Sequence, residues 1–86
     1  MAQYTIQFKP LALRHLEKLP RDIQKKLAAK IETLRDDPFP PGSKKMAGML
    51  DTRRVRVADY RVIYQVHQKV LLILVLTVGH RKDVYR

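Results

Sequence analysis

The chain has 86 residues, with 18 Lys or Arg against 8 Asp or Glu and no cysteine, and its formal net charge is +10 at pH 7. This length predicts a single small domain over residues 1–86, and the lack of cysteine excludes disulfides and thiolate metal sites. The three histidines are far apart in the sequence, so we expect no metal and no cofactor. A charge this high favours an anionic partner, nucleic acid above all.

Two features of the chain predict a soluble, cytoplasmic protein. Residues 1–4 have neither the basic nor the apolar region of a signal peptide. The longest apolar run, Val70–Val78, has about half of the ~20 residues that a helix needs to cross a bilayer.

The first half of the chain predicts one strand followed by two helices. Tyr4–Phe8 alternates apolar and polar residues, as a half-buried strand does. Pro10 suits the first turn of a short helix, and Pro20 ends that helix and opens a longer one. The longer helix has an apolar stripe formed by Ile23, Leu27, Ile31 and Leu34. The two helices are expected to form a hairpin, and a proline-rich loop follows over residues 36–43.

From residue 53 onward the apolar period is two, which predicts a β-hairpin. If Ala58 and Asp59 form a tight turn, Arg56 lies directly opposite Arg61, and Arg54 follows on the same face. Like charges opposed across a strand pair cost up to about 1 kcal/mol, so this arrangement favours a role in binding an anion. The other face of the hairpin is apolar and consists of Val55, Val57, Tyr60, Val62 and Tyr64.

The apolar run Val70–Val78 predicts a strand that is covered on both faces. Two helices cover only one face of a sheet, so turn segments, a partner or both must cover the other. We therefore predict an α+β fold in which two N-terminal helices, a helical hairpin, pack on a twisted, mainly antiparallel four-stranded sheet.

The basic segments also limit the chemistry that the chain can perform. They contain no pair of carboxylates that could hold a catalytic metal ion. Cations around a phosphate, together with His80 or Tyr85, suit metal-free RNA cleavage, in which the 2′-hydroxyl attacks the adjacent phosphorus. Both residues also have structural interpretations, as the polar end of a strand and as part of a solvated terminus. The residues alone thus predict a basic domain with a phosphate-binding sheet face, with or without nuclease activity.

Several segments together resemble a known family. They are Leu16–Pro20, Lys45–Gly48 and Arg54–Val57, with the more specific segments Asp59–Tyr64 and Val78–Tyr85. With these segments the chain resembles, over nearly its whole length, a RelE-type toxin of the RelE/ParE superfamily of toxin–antitoxin pairs. The resemblance implies two helices packed on a twisted antiparallel sheet, in agreement with the fold predicted above.

The resemblance also implies an activity, that of an mRNA interferase that enters the ribosomal A site and cuts the message there. By this resemblance Arg61 would bind the scissile phosphate, and Arg81 would stabilise the transition state or the leaving group. Tyr85 would stack on or orient the RNA. Neighbouring cations are predicted to contact the RNA, namely Lys44, Lys45, Arg53 and Lys82.

Two features depart from the pattern of this family. Arg54 and Arg56, which we also include in the candidate site, stand where better-known members carry lysines, and a guanidinium is a poor general base because it stays protonated. Acid–base work would then shift to His80, Tyr85 or the ribosome. Ala58 replaces the usual glycine of the hairpin turn, where a positive φ is expected.

A partner is implied as well, a cognate acidic, RelB-like antitoxin that covers the basic face in a hetero-oligomer. Two other functions stay open at this point. A ParE-like inhibitor of DNA gyrase has the same fold without nuclease activity, but it does not need Arg61, Arg81 and Tyr85 together. A non-catalytic nucleic-acid-binding module would also account for the charge.

Overall fold

The computed structural model describes residues 3–80 and 82 of the chain. The helices are α1 (Pro10–Glu17) and α2 (Arg21–Thr33), and a short 3₁₀ turn lies at Gln68–Val70. The strands are β1 (Thr5–Phe8), β2 (Lys44–Lys45), β3 (Thr52–Val57), β4 (Tyr60–His67) and β5 (Leu72–His80). In the described part of the chain, neither helix has the length and apolar character needed to span a bilayer.

The strands form one sheet in the order β1-β5-β4-β3-β2. β1 runs parallel to β5, and the other neighbouring strands are antiparallel. The α+β class and the two helices agree with the prediction, but the predicted four strands are five, and the helices come after the first strand. The extra strand is β2, which pairs with Arg53 and Arg54. A strand of two residues leaves no periodicity in the sequence, so the pattern does not reveal it.

The predicted β3–β4 hairpin is confirmed, including its register. Val57 pairs with Tyr60 and Arg56 pairs with Arg61, on either side of the turn at Ala58. Ala58 has a φ of 53°, a left-handed conformation that costs an L-residue roughly 1–2 kcal/mol. The paired strands offset this cost, so the register holds although the turn lacks its preferred residue.

The core lies between the two helices and one face of the sheet. Pro10 opens α1, where a missing N–H costs nothing, and Pro20 caps the start of α2. Leu27, Ile31 and Leu34 are buried, as the apolar stripe predicts. They pack in one cluster with residues of the sheet, namely Val55, Val62, Tyr64, Val66, Ile73, Val75 and Val78. The helices therefore cover this face, and Arg54 and Arg56 of β3 lie on the other one.

Strand β5 differs from the prediction in both its bounds and its burial. It begins at Leu72 because the 3₁₀ turn before it ends at Val70 and is followed by Leu71, whose φ is 51°. Ile73 is buried on the helix side, whereas Leu74, which points to the other face, is half-buried. Among the described residues, the apolar strand is thus fully covered on the helix side alone.

Candidate nucleic-acid interface

Four cationic side chains converge in one cleft on the face of the sheet opposite the helices. This cationic cleft is lined by Gly42, Lys44, Arg54, Val55, Arg56 and Arg61. Arg54 and Arg56 are two residues apart on β3, and they pair with Lys44 of β2 and Arg61 of β4. Directly paired residues project from the same face of a sheet. Because side chains alternate between the two faces of a strand, these pairings bring cations from three strands together on one face.

Arg56 and Arg61 are direct cross-strand partners, which places their Cα atoms about 4.5–5.5 Å apart. The Nε of Arg56 donates a hydrogen bond of 2.8 Å to the carbonyl of Ala58, and its Nη2 lies 3.8 Å from the Oδ1 of Asp59. That ion pair is exposed, so it adds little stability. The Nε of Arg61 is buried, and the side chain of Arg61 therefore lies deeper in the cleft than that of Arg56.

Arg53 lies on the helix side of the sheet, away from the cationic cleft. Its Nη2 donates hydrogen bonds to the Oγ and the carbonyl of Ser43, at 2.9 and 3.3 Å. The guanidinium carbon also lies 5.0 Å from the ring centre of Phe39, a cation–π contact. Lys45 pairs with Arg53 and belongs to the same face. Two of the four cations predicted to contact RNA are thus separated from the cleft by the sheet.

His80 is also on the helix side, because β5 pairs it with Tyr60 and pairs Gly79 with Arg61. The rings of His80 and Tyr60 meet edge to face with centres 5.5 Å apart. These rings border a groove that continues to His15 and Lys18 of the α1 segment. The imidazole of His80 therefore contacts Tyr60 and does not share the face of the arginines.

The other predicted residues lie at the end of the chain. Lys82 is exposed, and its backbone N–H donates a hydrogen bond of 3.2 Å to the Nδ1 of His80. Arg81 and Tyr85 lie outside the described residues.

One positioning residue, Tyr64, is not predicted from the sequence. Its hydroxyl donates a buried hydrogen bond of 2.8 Å to the carbonyl of Pro38. Burial raises the pKa of this hydroxyl above its ordinary value, and the neighbouring Ser43 and Arg53 partly oppose that shift. The bond holds the proline-rich loop against β4, and this loop leads to Gly42 at the wall of the cleft. A tyrosine inside an apolar pattern needs a partner for its hydroxyl, which is the one signal that the sequence offers.

The geometry of the cationic cleft suits a phosphate group. Guanidinium groups bind phosphate oxygens through paired, charge-assisted hydrogen bonds. Arg56 and Arg61 approach from adjacent strands, while Lys44 and Arg54 extend the positive surface across β3 and β2. A phosphodiester placed here would meet cations on more than one side, and a nucleic-acid backbone could continue along the cleft.

Both the sequence and the fold of this domain are similar to those of toxins from type II toxin–antitoxin systems. Residues 6–85 match the sequence profile of the ParE toxin of type II toxin-antitoxin system, parDE. The chain is 36% identical to an Escherichia coli protein named as RelE-like toxin, covering 96% of this chain and 90% of that protein. It is 34% identical to toxin RelG of Mycobacterium tuberculosis, covering 96% and 97%.

Comparison of folds also finds similarity to RelE toxins. The archaeal RelE in the RelE–RelB complex from Pyrococcus horikoshii superimposes with a TM-score of 0.82 at 26% identity, covering 95% of this chain and 99% of that one. The chain therefore belongs to the RelE/ParE family of type II toxin–antitoxin toxins, and within it to the RelE-type toxins.

Proposed function

We propose that this toxin is an endoribonuclease, an mRNA interferase that cuts messages in the ribosomal A site and so inhibits translation in the cytoplasm. The observation that carries the proposal is the direct pairing of Arg56 with Arg61 inside a cleft that also holds Lys44 and Arg54. Opposed arginines destabilise a strand pair, whereas a phosphodiester in a cleavage transition state needs several positive groups. The RelE-like relatives support the same assignment.

The proposed reaction uses the message's own nucleophile. The 2′-oxygen forms a bond to the adjacent phosphorus, the bond from phosphorus to the 5′-oxygen breaks, and a 2′,3′-cyclic phosphate and a 5′-hydroxyl result. One proton leaves the 2′-hydroxyl and one reaches the departing 5′-oxygen. Arg61, with Arg56 beside it, stabilises the charge that gathers on the non-bridging oxygens. Neither guanidinium accepts the proton, because both stay protonated. We assign proton transfer to Tyr85 or the ribosome rather than to His80, because the imidazole of His80 contacts Tyr60 on the other face of the sheet.

The remaining site residues have supporting roles in this proposal. Arg81 stabilises the transition state or the leaving group, and Tyr85 stacks on a base, which contributes roughly 1–3 kcal/mol. Lys44 and Lys82 contact the RNA backbone. Arg53 is the least suited of the predicted contacts, because its guanidinium is occupied by Ser43 and Phe39 on the helix side.

We also propose a cognate antitoxin as the inhibitory partner. The solved complex from Pyrococcus horikoshii joins a RelE to a RelB, and its RelE shares the fold of this chain. A net charge of +10 and a cleft lined by four cations call for a partner with acidic side chains. A segment that pairs its carboxylates with Arg56 and Arg61 would relieve their repulsion and exclude RNA at once.

Inhibition of DNA gyrase is the second candidate, because the family profile that matches the chain is described as a ParE toxin. A gyrase inhibitor has no use for groups that stabilise a cleaved phosphodiester. A supercoiling assay with purified gyrase separates the two functions. Inhibition that Arg61→Ala leaves unchanged would favour the gyrase function and contradict the nuclease.

The experiment that tests the nuclease is mapping of RNA 5′ ends in cells that express the toxin under tight control. Wild type should create new 5′ ends that are in frame and lie within translated regions, and Arg61→Ala should not. Arg14→Ala is the matched control, since Arg14 is an exposed cation on α1, far from the sheet face of the cleft. Intact messages alongside growth arrest would refute the proposal.

A further inference from the structure

The side chain of His80 is held from two sides at the end of β5. Its Nδ1 accepts a hydrogen bond of 3.2 Å from the backbone N–H of Lys82. Its ring meets the ring of Tyr60 edge to face, with an angle of 79° between the ring planes. Tyr60 is also the direct cross-strand partner of His80, so backbone and side chain both join the two residues. The imidazole is therefore fixed in place where the strand ends.

The hydrogen bond to Lys82 also defines the protonation state of the imidazole. A backbone N–H can only donate, so the Nδ1 of His80 accepts and carries no proton. An imidazolium has a proton on each ring nitrogen and could not form this bond. The ring is therefore neutral with its proton on Nε2, and its one acceptor nitrogen is already occupied. In this arrangement His80 has no lone pair with which to take a proton from RNA.

The same hydrogen bond spans a residue with an assigned role in the reaction. Arg81 stands between His80 and Lys82 in the chain, so acceptor and donor lie on either side of it. A side-chain acceptor that bonds the N–H two residues onward closes a small ring of backbone, as in an Asx turn. The bond therefore restrains the backbone on both sides of Arg81.

The contact with Tyr60 connects this restraint to the phosphate-binding arginine. Tyr60 directly precedes Arg61 on β4, and Arg61 pairs with Gly79, the residue before His80. Because successive side chains of a strand point to opposite faces, the two rings lie on the helix side while Arg61 lines the cationic cleft. Gly79 has no side chain that could compete with Arg61 for space. The ring pair thus joins the two strands directly behind the cleft without entering it.

We propose that His80 is a positioning residue, whose Nδ1 and ring hold the backbone around Arg81 fixed relative to Arg61. The inference rests on the nuclease function proposed above, and it gives His80 a role other than proton transfer. A misplacement of about 1 Å in an active site can cost as much as a hundredfold in rate, so a restraint beside Arg81 acts mainly on the chemical step. Binding of the RNA backbone depends instead on the cations of the cleft.

Two substitutions separate the acceptor of His80 from its ring. His80→Asn keeps a side-chain acceptor that reaches the N–H two residues onward, but it removes the ring. His80→Phe keeps a ring for Tyr60 and removes the acceptor. His67→Phe is the matched control, because His67 is a half-buried histidine at the other end of β4, where its Nε2 lies 3.1 Å from the Oε1 of Gln65. Thermal unfolding first establishes that all variants are folded.

Cleavage of a defined message on programmed ribosomes gives kcat and KM for each variant. His80→Phe should lower kcat about tenfold and leave KM near the wild-type value. His80→Asn should recover most of that loss, and His67→Phe should match wild type. Hydrogen exchange at the amide of Lys82 should be faster in His80→Phe than in wild type or His80→Asn.

A double-mutant cycle distinguishes positioning from a general structural role. In an Arg81→Ala background, His80→Phe should cost nothing further, because no guanidinium remains to be positioned. Additive losses from the two substitutions would overturn the proposal. Equal kcat in wild type and His80→Phe, or equal losses in His80→Phe and His80→Asn, would overturn it as well.

The outcomes also separate this inference from the function on which it rests. If wild type cuts the message and Arg61→Ala does not, the nuclease stands whatever the result for His80. If wild type leaves the message on programmed ribosomes intact, the nuclease is refuted and the role of His80 with it.

Discussion

Arg56 and Arg61 are paired residue to residue across the β3–β4 hairpin, with Ala58 and Asp59 forming the turn beside them. Like charges directly opposite each other destabilise a strand pair, and a bound anion would offset that cost. The pair therefore favours an anionic ligand in the cationic cleft.

An anion should stabilise the folded protein through the cationic cleft. At a phosphate concentration ten times the dissociation constant, the free energy of unfolding should rise by about 1.4 kcal/mol. Thermal unfolding in phosphate and in chloride at equal ionic strength measures the effect. Arg61→Ala should abolish the difference between the two salts, and Arg14→Ala should keep it. A phosphate effect that survives in Arg61→Ala would place the anion elsewhere.

Loss of the guanidinium should change stability at Arg53 and RNA binding at Arg61. Arg53→Ala removes the hydrogen bonds to Ser43 and the contact with Phe39, so it should lower the free energy of unfolding by roughly 1–2 kcal/mol. Arg61→Ala should instead reduce the slope of log affinity for RNA against log salt by about 1. Filter binding across a salt series and chemical denaturation give the two readouts. A reduced salt slope in Arg53→Ala at unchanged stability would make Arg53 an RNA contact after all.

Ala58→Gly should stabilise the protein, because alanine is held at a φ of 53° that glycine adopts freely. After the greater entropy of glycine in the unfolded chain is included, we expect a gain of about 0.5–1 kcal/mol. Ala29→Gly in the exposed face of α2 is the matched control and should cost about 1 kcal/mol. Urea denaturation measures both changes. Destabilisation of similar size in the two variants would show that Ala58 is not strained.

Much of this arrangement can be predicted from the sequence, because it depends on residues that are close together in the chain. The alternation of arginine and valine, together with a tight turn, predicts the hairpin register that the structure contains. The parallel pairing of β1 with β5 cannot be predicted in this way, since it joins segments far apart in sequence that carry no matching pattern. The contacts of Arg53 cannot be predicted from the sequence either, for another reason. The alternation of residues along β3 assigns Arg53 to the core face of the sheet. Only in the folded protein does the loop bring Ser43 and Phe39 into contact with its guanidinium.

Tyr64→Phe should destabilise the protein, because it leaves the buried carbonyl of Pro38 without its donor. The expected cost is roughly 1–3 kcal/mol. The same bond predicts a pH dependence. Burial raises the pKa of Tyr64 in the folded state, so its contribution is fully present below the ordinary value near 10 and is lost as the pH rises through the folded value.

Denaturation at several pH values between neutrality and strong alkali measures this dependence. Lysines also titrate in the alkaline range, so the informative quantity is the difference between wild type and Tyr64→Phe. The stability advantage of wild type should shrink above about pH 10. A difference that stays constant with pH would mean that the hydroxyl does not titrate as a buried group.

The most direct test of the central claim uses purified toxin, ribosomes programmed with a defined message, and a single 2′-deoxynucleotide at the cleaved position. Wild type should cut the all-ribose message and leave a 2′,3′-cyclic phosphate, and the deoxy substitution should block that cut. Arg61→Ala should cut the ribose message about a hundredfold more slowly or worse, and Arg14→Ala should match wild type. Cleavage of the deoxy message, or full activity of Arg61→Ala, would contradict a phosphate site built on the paired arginines.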